Sequence, residues 1–171
     1  MRMLRRTSLK PSGRQQSLIL LKRLINMDED QEFKDYETFA KRLEKSYPKM
    51  YSGKYGGFAV GKGWWPIIEA LSLNIQQHIE FANRTEEVCP QVVVEQVKEK
   101  FGGLRFYYQG GDEQIHGMVR MAEAWAGMAC EECGGIGKRR GGGWVRTLCD
   151  VHEAERNARI EEQSRKDGLE L

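Results

Sequence analysis

Cys130-Glu131-Glu132-Cys133-Gly134-Gly135 and Thr147-Leu148-Cys149-Asp150-Val151-His152 are the two segments that decide how this chain of 171 residues is read. They hold a C-x2-C pair and a C-x2-H pair separated by 15 residues. Each x2 spacing lets one tight turn present both side chains to a single ion. Three thiolates and one imidazole make a closed tetrahedral site for Zn²⁺, the structural kind with no place left for substrate. Glycine after Cys133 lets backbone amides turn toward the sulfurs. Trp144 to Leu148 reads as the returning strand of a short hairpin, and Cys149 to His152 opens a helix running from Glu153 to about Ser164. A zinc-folded module over residues 129–171 is the expectation, with the ion contributing on the order of 10–16 kcal/mol to its folding.

Working outward, the composition fits one compact body with a small appendage: 40% of residues are hydrophobic, and no apolar run approaches the roughly 18 residues a bilayer requires. Paired cysteines at metal spacing favour a reducing compartment, and a cytoplasmic protein is expected. Cys89, outside the two pairs, reads as a small, partly buried hydrophobe; an alternative makes it the fourth ligand in place of His152. Residues 1–26 carry seven basic side chains and no acid; 27 basic residues less these seven leave 20 against 25 acids, a net of −5 over residues 27–171. An acidic body weakens any generic case for nucleic-acid binding. The basic segment has three readings: a basic arm, an organelle-targeting peptide, or an upstream extension of the reading frame with Met27 as the start. The last is favoured, because helical patterning begins soon after Met27.

Residues 27–128 read as an α+β core. Phe33, Tyr36, Phe39, Leu43 and Tyr47 recur at helical spacing until Pro48. Pro66 suits the first turn of a second helix, whose stripe is Ile67, Ile68, Leu71, Ile75 and Ile79. His78 beside that stripe reads as a boundary or core histidine. Val92, Val93, Val94 and Val97 are β-branched, and Leu104, Phe106 and Tyr108 alternate on a second strand. Gly102 and Gly103 are expected to supply the positive backbone angles of a hairpin turn. Lys98, Glu99 and Lys100 are expected on an exposed edge or solvent face. Asp112 can cap a third helix, with Ile115, Met118, Val119, Ala122, Trp125 and Ala126 on its apolar face. His116 has no evident partner and reads as solvent-exposed.

Two further stretches invite chemistry. Lys138, Arg139, Arg140, Trp144 and Arg146 surround a glycine-rich hairpin loop. They either balance a metal centre of net charge about −1 or grip a phosphate backbone and stack on a base. Gly56 to Lys62 matches the first seven positions of a phosphate-binding loop, but Gly63 stands where Ser or Thr should hold Mg²⁺. A weaker anion-binding role for Gly61, Lys62 and Gly63 near a helix N-terminus survives, against a plain loop anchoring Trp64 and Trp65. For catalysis, His78, His116 and His152 are the only histidines. No histidine between Cys133 and Cys149 supports a His-Asn-His nuclease.

The C-x2-C-G start, the Trp in the hairpin and the Leu-Cys-x2-ligand finish resemble treble-clef fingers of the GATA type. The segment departs from them in using His152 and in lacking an aromatic and basic run afterwards, which puts sequence-specific DNA reading in doubt. The run Val97-Lys98-Glu99-Lys100-Phe101-Gly102-Gly103-Leu104-Arg105-Phe106-Tyr107, with Gly61-Lys62-Gly63-Trp64, Cys130-Glu131-Glu132-Cys133-Gly134 and Trp144 to Cys149, is similar to small uncharacterised proteins of tailed phages and prophages. That resemblance spans roughly residues 33–155 and implies a bacterial or phage cytoplasmic setting and, by association, a host-takeover or defence-evasion role. The expected fold is α+β: helices packed on a small antiparallel hairpin sheet, with a C-terminal treble-clef-like zinc module. The expected function is a non-enzymatic accessory binding protein that presents the 138–146 loop to a host protein or nucleic acid. The alternative is an enzyme or small-anion site formed by the Gly56–Gly63 loop with the Lys98–Arg105 hairpin.

Overall fold

The computed structural model describes residues 36–52, 55–85, 88–141 and 143–168, which lie in one compact unit, Asp35–Leu171. The expectations for residues 1–26, and for a helix beginning at Phe33, fall outside the described residues. The fold is α+β, with four helices, a three-stranded sheet and a two-stranded hairpin among the described residues. No helix among them is long and apolar enough to cross a membrane.

Helix α1 (Tyr36–Ser46) buries Phe39, Ala40 and Leu43, the i, i+1, i+4 face its sequence pattern requires. Strand β1 (Phe58–Ala59) and a 3₁₀ turn (Lys62–Trp64) lead into helix α2 (Trp65–Ala82), which has Pro66 in its first turn. The Phe39 and Trp65 rings stack at 4.9 Å with their planes 6° apart, joining α1 to α2. Trp64, Ile68, Ile75, Val92, Val97, Leu104 and Ile115 are fully buried and form the centre of the core.

Strand β2 (Val93–Lys100) pairs antiparallel with β3 (Gly103–Gln109), and Val97 opposite Phe106 faces the core. On β2's other side β1 adds a parallel pairing, Phe58 with Val97 and Ala59 with Lys98. The sheet is therefore mixed rather than a bare antiparallel hairpin, and β2 is its central strand, not an edge. Two residues cannot declare a strand by alternation, which is why β1 escapes a sequence reading. The turn also differs from expectation. Positive φ falls on Phe101 (54°) and Gly102 (72°), while Gly103 is already paired with Lys100. A two-residue loop of the I′ kind needs both central residues left-handed. Here the Glu99 carboxylate holds the strained turn by accepting the Gly102 N–H at 2.6 Å.

Helix α3 (Glu113–Ala126) starts where expected, with the Asp112 side chain accepting the Ile115 N–H at 3.0 Å. It buries Ile115, Val119, Ala122 and Ala126, and Trp125 is 57% exposed instead of facing the core. The buried positions recur at four, three and four, so Trp125 falls one position off the stripe. Strands β4 (Lys138–Arg140) and β5 (Arg146–Leu148) form the short hairpin, and helix α4 (Asp150–Lys166) follows directly. The α4 helix buries only Arg156, whose guanidinium donates to the Trp144 carbonyl at 2.9 Å.

Candidate metal centre

Cys130 and Cys133 sit on a tight turn closed by two backbone bonds, Cys130 N–H to the Gly135 carbonyl and Gly134 N–H to the Cys130 carbonyl, each 2.7 Å. Gly134 takes φ 75°, the left-handed angle this reversal requires. Cys149 is the N-cap of α4 and His152 lies in its first turn, so the helix start fixes the second pair. The ligand atoms of Cys130, Cys133, Cys149 and His152 all lie within 4.8 Å of one another and can hold a metal ion. His152 presents Nδ1, 3.5 Å from the Cys130 sulfur and 3.1 Å from the Cys149 sulfur. Ordinary zinc bond lengths in a tetrahedron put sulfur and nitrogen about 3.5 Å apart, so the cage has the right size.

The electrostatics favour thiolate at one corner. The His152 backbone N–H, at the positive end of α4, brings the Cys149 thiol down to about 7. Cys133 also receives an N–H, from Gly135, which lowers its thiol. Burial and the neighbouring Cys130 and Cys149 sulfurs outweigh that and leave it raised. The repulsion that crowded thiolates would suffer is what a divalent cation would relieve.

The turn carrying Cys130 and Cys133 is fastened to the core by the segment that mimics a phosphate loop. Gly63 N–H donates to the Glu131 carbonyl at 2.8 Å, and the Trp64 indole donates to the Ala129 carbonyl at 2.8 Å. A Cβ on Gly61 would stand 2.1 Å from the Glu131 carbonyl oxygen, and one on Gly63 2.1 Å from that of Cys130. The two glycines exist so that backbone can touch backbone. Protein fills the face a phosphate would need, the Gly63 amide is already engaged, and Lys62 alone points to solvent. A second fastening joins the β4–β5 hairpin to the β2–β3 turn: the Thr147 hydroxyl donates to the Gly102 carbonyl at 2.6 Å and the Trp144 indole to Glu99 at 3.1 Å.

The basic residues divide into two groups. Arg146 is bound to both Glu131 and Glu132, Arg140 to Asp150, and Lys138 lies 3.5 Å from Asp150. These three are committed to carboxylates of the same module. Arg139 and the Trp144 ring remain exposed, and the Arg139 guanidinium approaches Gly103 next to that of Arg105. Cys89 belongs to a separate cluster with His78 and Asp112, away from the four-ligand cage. Sequence spacing could not foresee that grouping, since its members come from α2, a loop and the α3 cap. His116 is exposed, as expected. No protein-family model, curated protein or solved structure matches this chain.

Proposed function

We propose that the chain is a zinc-stabilised, non-enzymatic binding protein that engages single-stranded nucleic acid on the outer face of its β2–β3 hairpin. Three sulfurs and one imidazole within one cage are the donor set zinc prefers, and all four positions are taken by protein. A knuckle pair followed by a pair on a helix's first turn is the treble-clef layout. The ion's role in this reading is to hold the β4–β5 hairpin against the β2–β3 turn.

One observation carries the choice of partner. Lys98 and Arg105 are paired directly across the two strands, an arrangement of like charges that weakens a sheet by roughly 0.2–1 kcal/mol. Lys100 is next on that face, and Arg139 reaches it from the metal hairpin. Among the described residues these four cations form no ion pair, whereas their neighbours on β4 and β5 do. Aromatic rings are interleaved with them: Lys98 lies 5.1 Å over Tyr107, Lys100 lies 5.6 Å from Phe101, and both rings are exposed. Cations without carboxylate partners, set beside exposed rings, are the means by which sequence-tolerant proteins hold a flexible phosphate backbone and stack its bases. The contact surface thus shifts from the 138–146 loop alone to Arg139 and Trp144 together with Lys98, Lys100 and Arg105. A phage or prophage protein working in the host cytoplasm is the setting we propose for it.

Fluorescence anisotropy with a labelled single-stranded oligonucleotide tests the reading. Binding should weaken steeply with salt, and each cation removed from the face should lower the salt slope by about one. Lys98→Ala with Arg105→Ala should cut affinity at least tenfold while leaving zinc content unchanged. Absence of binding at low salt would exclude nucleic acid; an acidic protein partner would then be sought on the same face.

A further inference from the structure

We infer a second metal site, built from His78, Cys89 and Asp112, that takes a zinc-like divalent cation and keeps one coordination position open. A His78 ring nitrogen, the Cys89 sulfur and an Asp112 carboxylate oxygen all lie within 4.8 Å of one another. One nitrogen, one sulfur and one oxygen donor suit zinc and related borderline ions, while Mg²⁺ and Ca²⁺ call for oxygen throughout. Thiolate and carboxylate neutralise a divalent cation, so the site needs no further charge.

The three side chains come from segments that the fold holds together independently of them. Asn83, the C-cap of α2, brackets Cys89 through its side-chain amide: its NH₂ donates to the Cys89 carbonyl at 3.3 Å and its oxygen accepts the Cys89 N–H at 3.4 Å. On the other flank Gly111 N–H donates to the Pro90 carbonyl at 3.0 Å. Gly110, at φ 79°, lies so close to the Gln91 carbonyl that a Cβ would be 2.2 Å from it. That backbone contact sets the 89–91 segment against the turn before α3. Asp112 follows, its Oδ1 held by the Ile115 N–H, which leaves Oδ2 directed at His78 at 2.6 Å. Such outer bonds orient ligands in established metal sites.

The His78–Asp112 bond is a latch between α2 and α3 when no ion is present. Two ligand atoms around a tetrahedral zinc stand about 3.3 Å apart, so the latch must widen by about 0.7 Å to admit one. The Asp112 side chain, 36% exposed, has room to turn about its fixed Oδ1. Cys89 closes the buried side at 3% exposure. On the other side Asp112 also lines a shallow depression of about 530 Å³, together with Tyr108, Gly110, Gly111, Glu113 and His116. An ion would enter from there, and a water or small ligand would occupy the fourth position. Three protein ligands with one exchangeable place distinguish this site from the closed cage of three cysteines and His152.

The test uses the full chain reconstituted with Zn²⁺ alone, desalted and measured by elemental analysis. Wild type should hold two equivalents; Cys89→Ser and His78→Ala should each hold one, with unchanged circular dichroism. A competing chelator should strip the second equivalent first. One equivalent in wild type, or two persisting in both variants, would overturn the site. Should a variant misfold, Co²⁺ added to wild-type protein already loaded with one Zn²⁺ decides the matter: it should develop a thiolate charge-transfer band of one sulfur's intensity, and its absence refutes the assignment.

Discussion

Gly63 presses its backbone against Cys130: a single methyl group on its Cα would stand 2.1 Å from the Cys130 carbonyl oxygen and 2.5 Å from the Gly134 nitrogen. Both obstacles are backbone inside the metal turn and neither can swing aside. Gly63→Ala should therefore lower stability by about 3 kcal/mol and loosen the bound metal. Urea unfolding and the rate of zinc transfer to a chromogenic chelator measure the two effects. Lys62→Ala, at an exposed position between the two tight glycines, should change stability by no more than about 0.5 kcal/mol.

Gly117 is the opposite case. It lies inside α3, and a Cβ there would meet nothing within 4 Å. Gly117→Ala should raise stability by roughly 0.5–1 kcal/mol, seen as a higher denaturation midpoint.

Arg146 is bound to Glu131, whose side chain is 3% exposed. Burial raises the Glu131 carboxyl, and Arg146 works against that rise. Arg146→Ala would strand the buried acid and should cost about 3 kcal/mol. Lys138→Ala, in an exposed pair, should cost at most about 1 kcal/mol. Calorimetry on both variants separates the buried ion pair from the exposed one.

Tyr51 is nearly enclosed, its hydroxyl 2.6 Å from the Ser72 hydroxyl. Ser72 donates to the Ile68 carbonyl, so Tyr51 is the donor of that pair. Burial pushes the Tyr51 phenol above its ordinary 10.0. A raised phenol contributes stability that is complete below pH 10.0 and is lost as pH rises through the folded-state value. Tyr51→Phe should be about 1 kcal/mol less stable at neutral pH and show a shallower decline above pH 10. Denaturant midpoints measured across that range check the slope.

Features governed by neighbours in sequence were legible from the residues alone. The C-x2-C and C-x2-H pairs, the two strands on either side of the turn and the Asp112 cap each follow from local spacing, although the turn expected at Gly102-Gly103 falls one residue earlier. What stayed hidden depends on distant partners. Gly61-Lys62-Gly63 reads equally as anion loop or packing loop until residues 129–134 are set against it, 65 positions along the chain at the Trp64–Ala129 bond. Trp125 reads as core because a helical stripe has soft edges. His78, Cys89 and Asp112 carry no mutual spacing at all. Strand β1 is too short to show a period.

Hydrogen exchange before and after metal removal bears most directly on the central idea, that a caged ion folds the C-terminal module and fastens it to the core through Gly61–Trp64. Chelation should deprotect residues 129–152 and the Gly63 amide together, since that amide is bonded to the Glu131 carbonyl. Protection unchanged by chelation, or lost from 129–152 while Gly63 keeps its own, would contradict it.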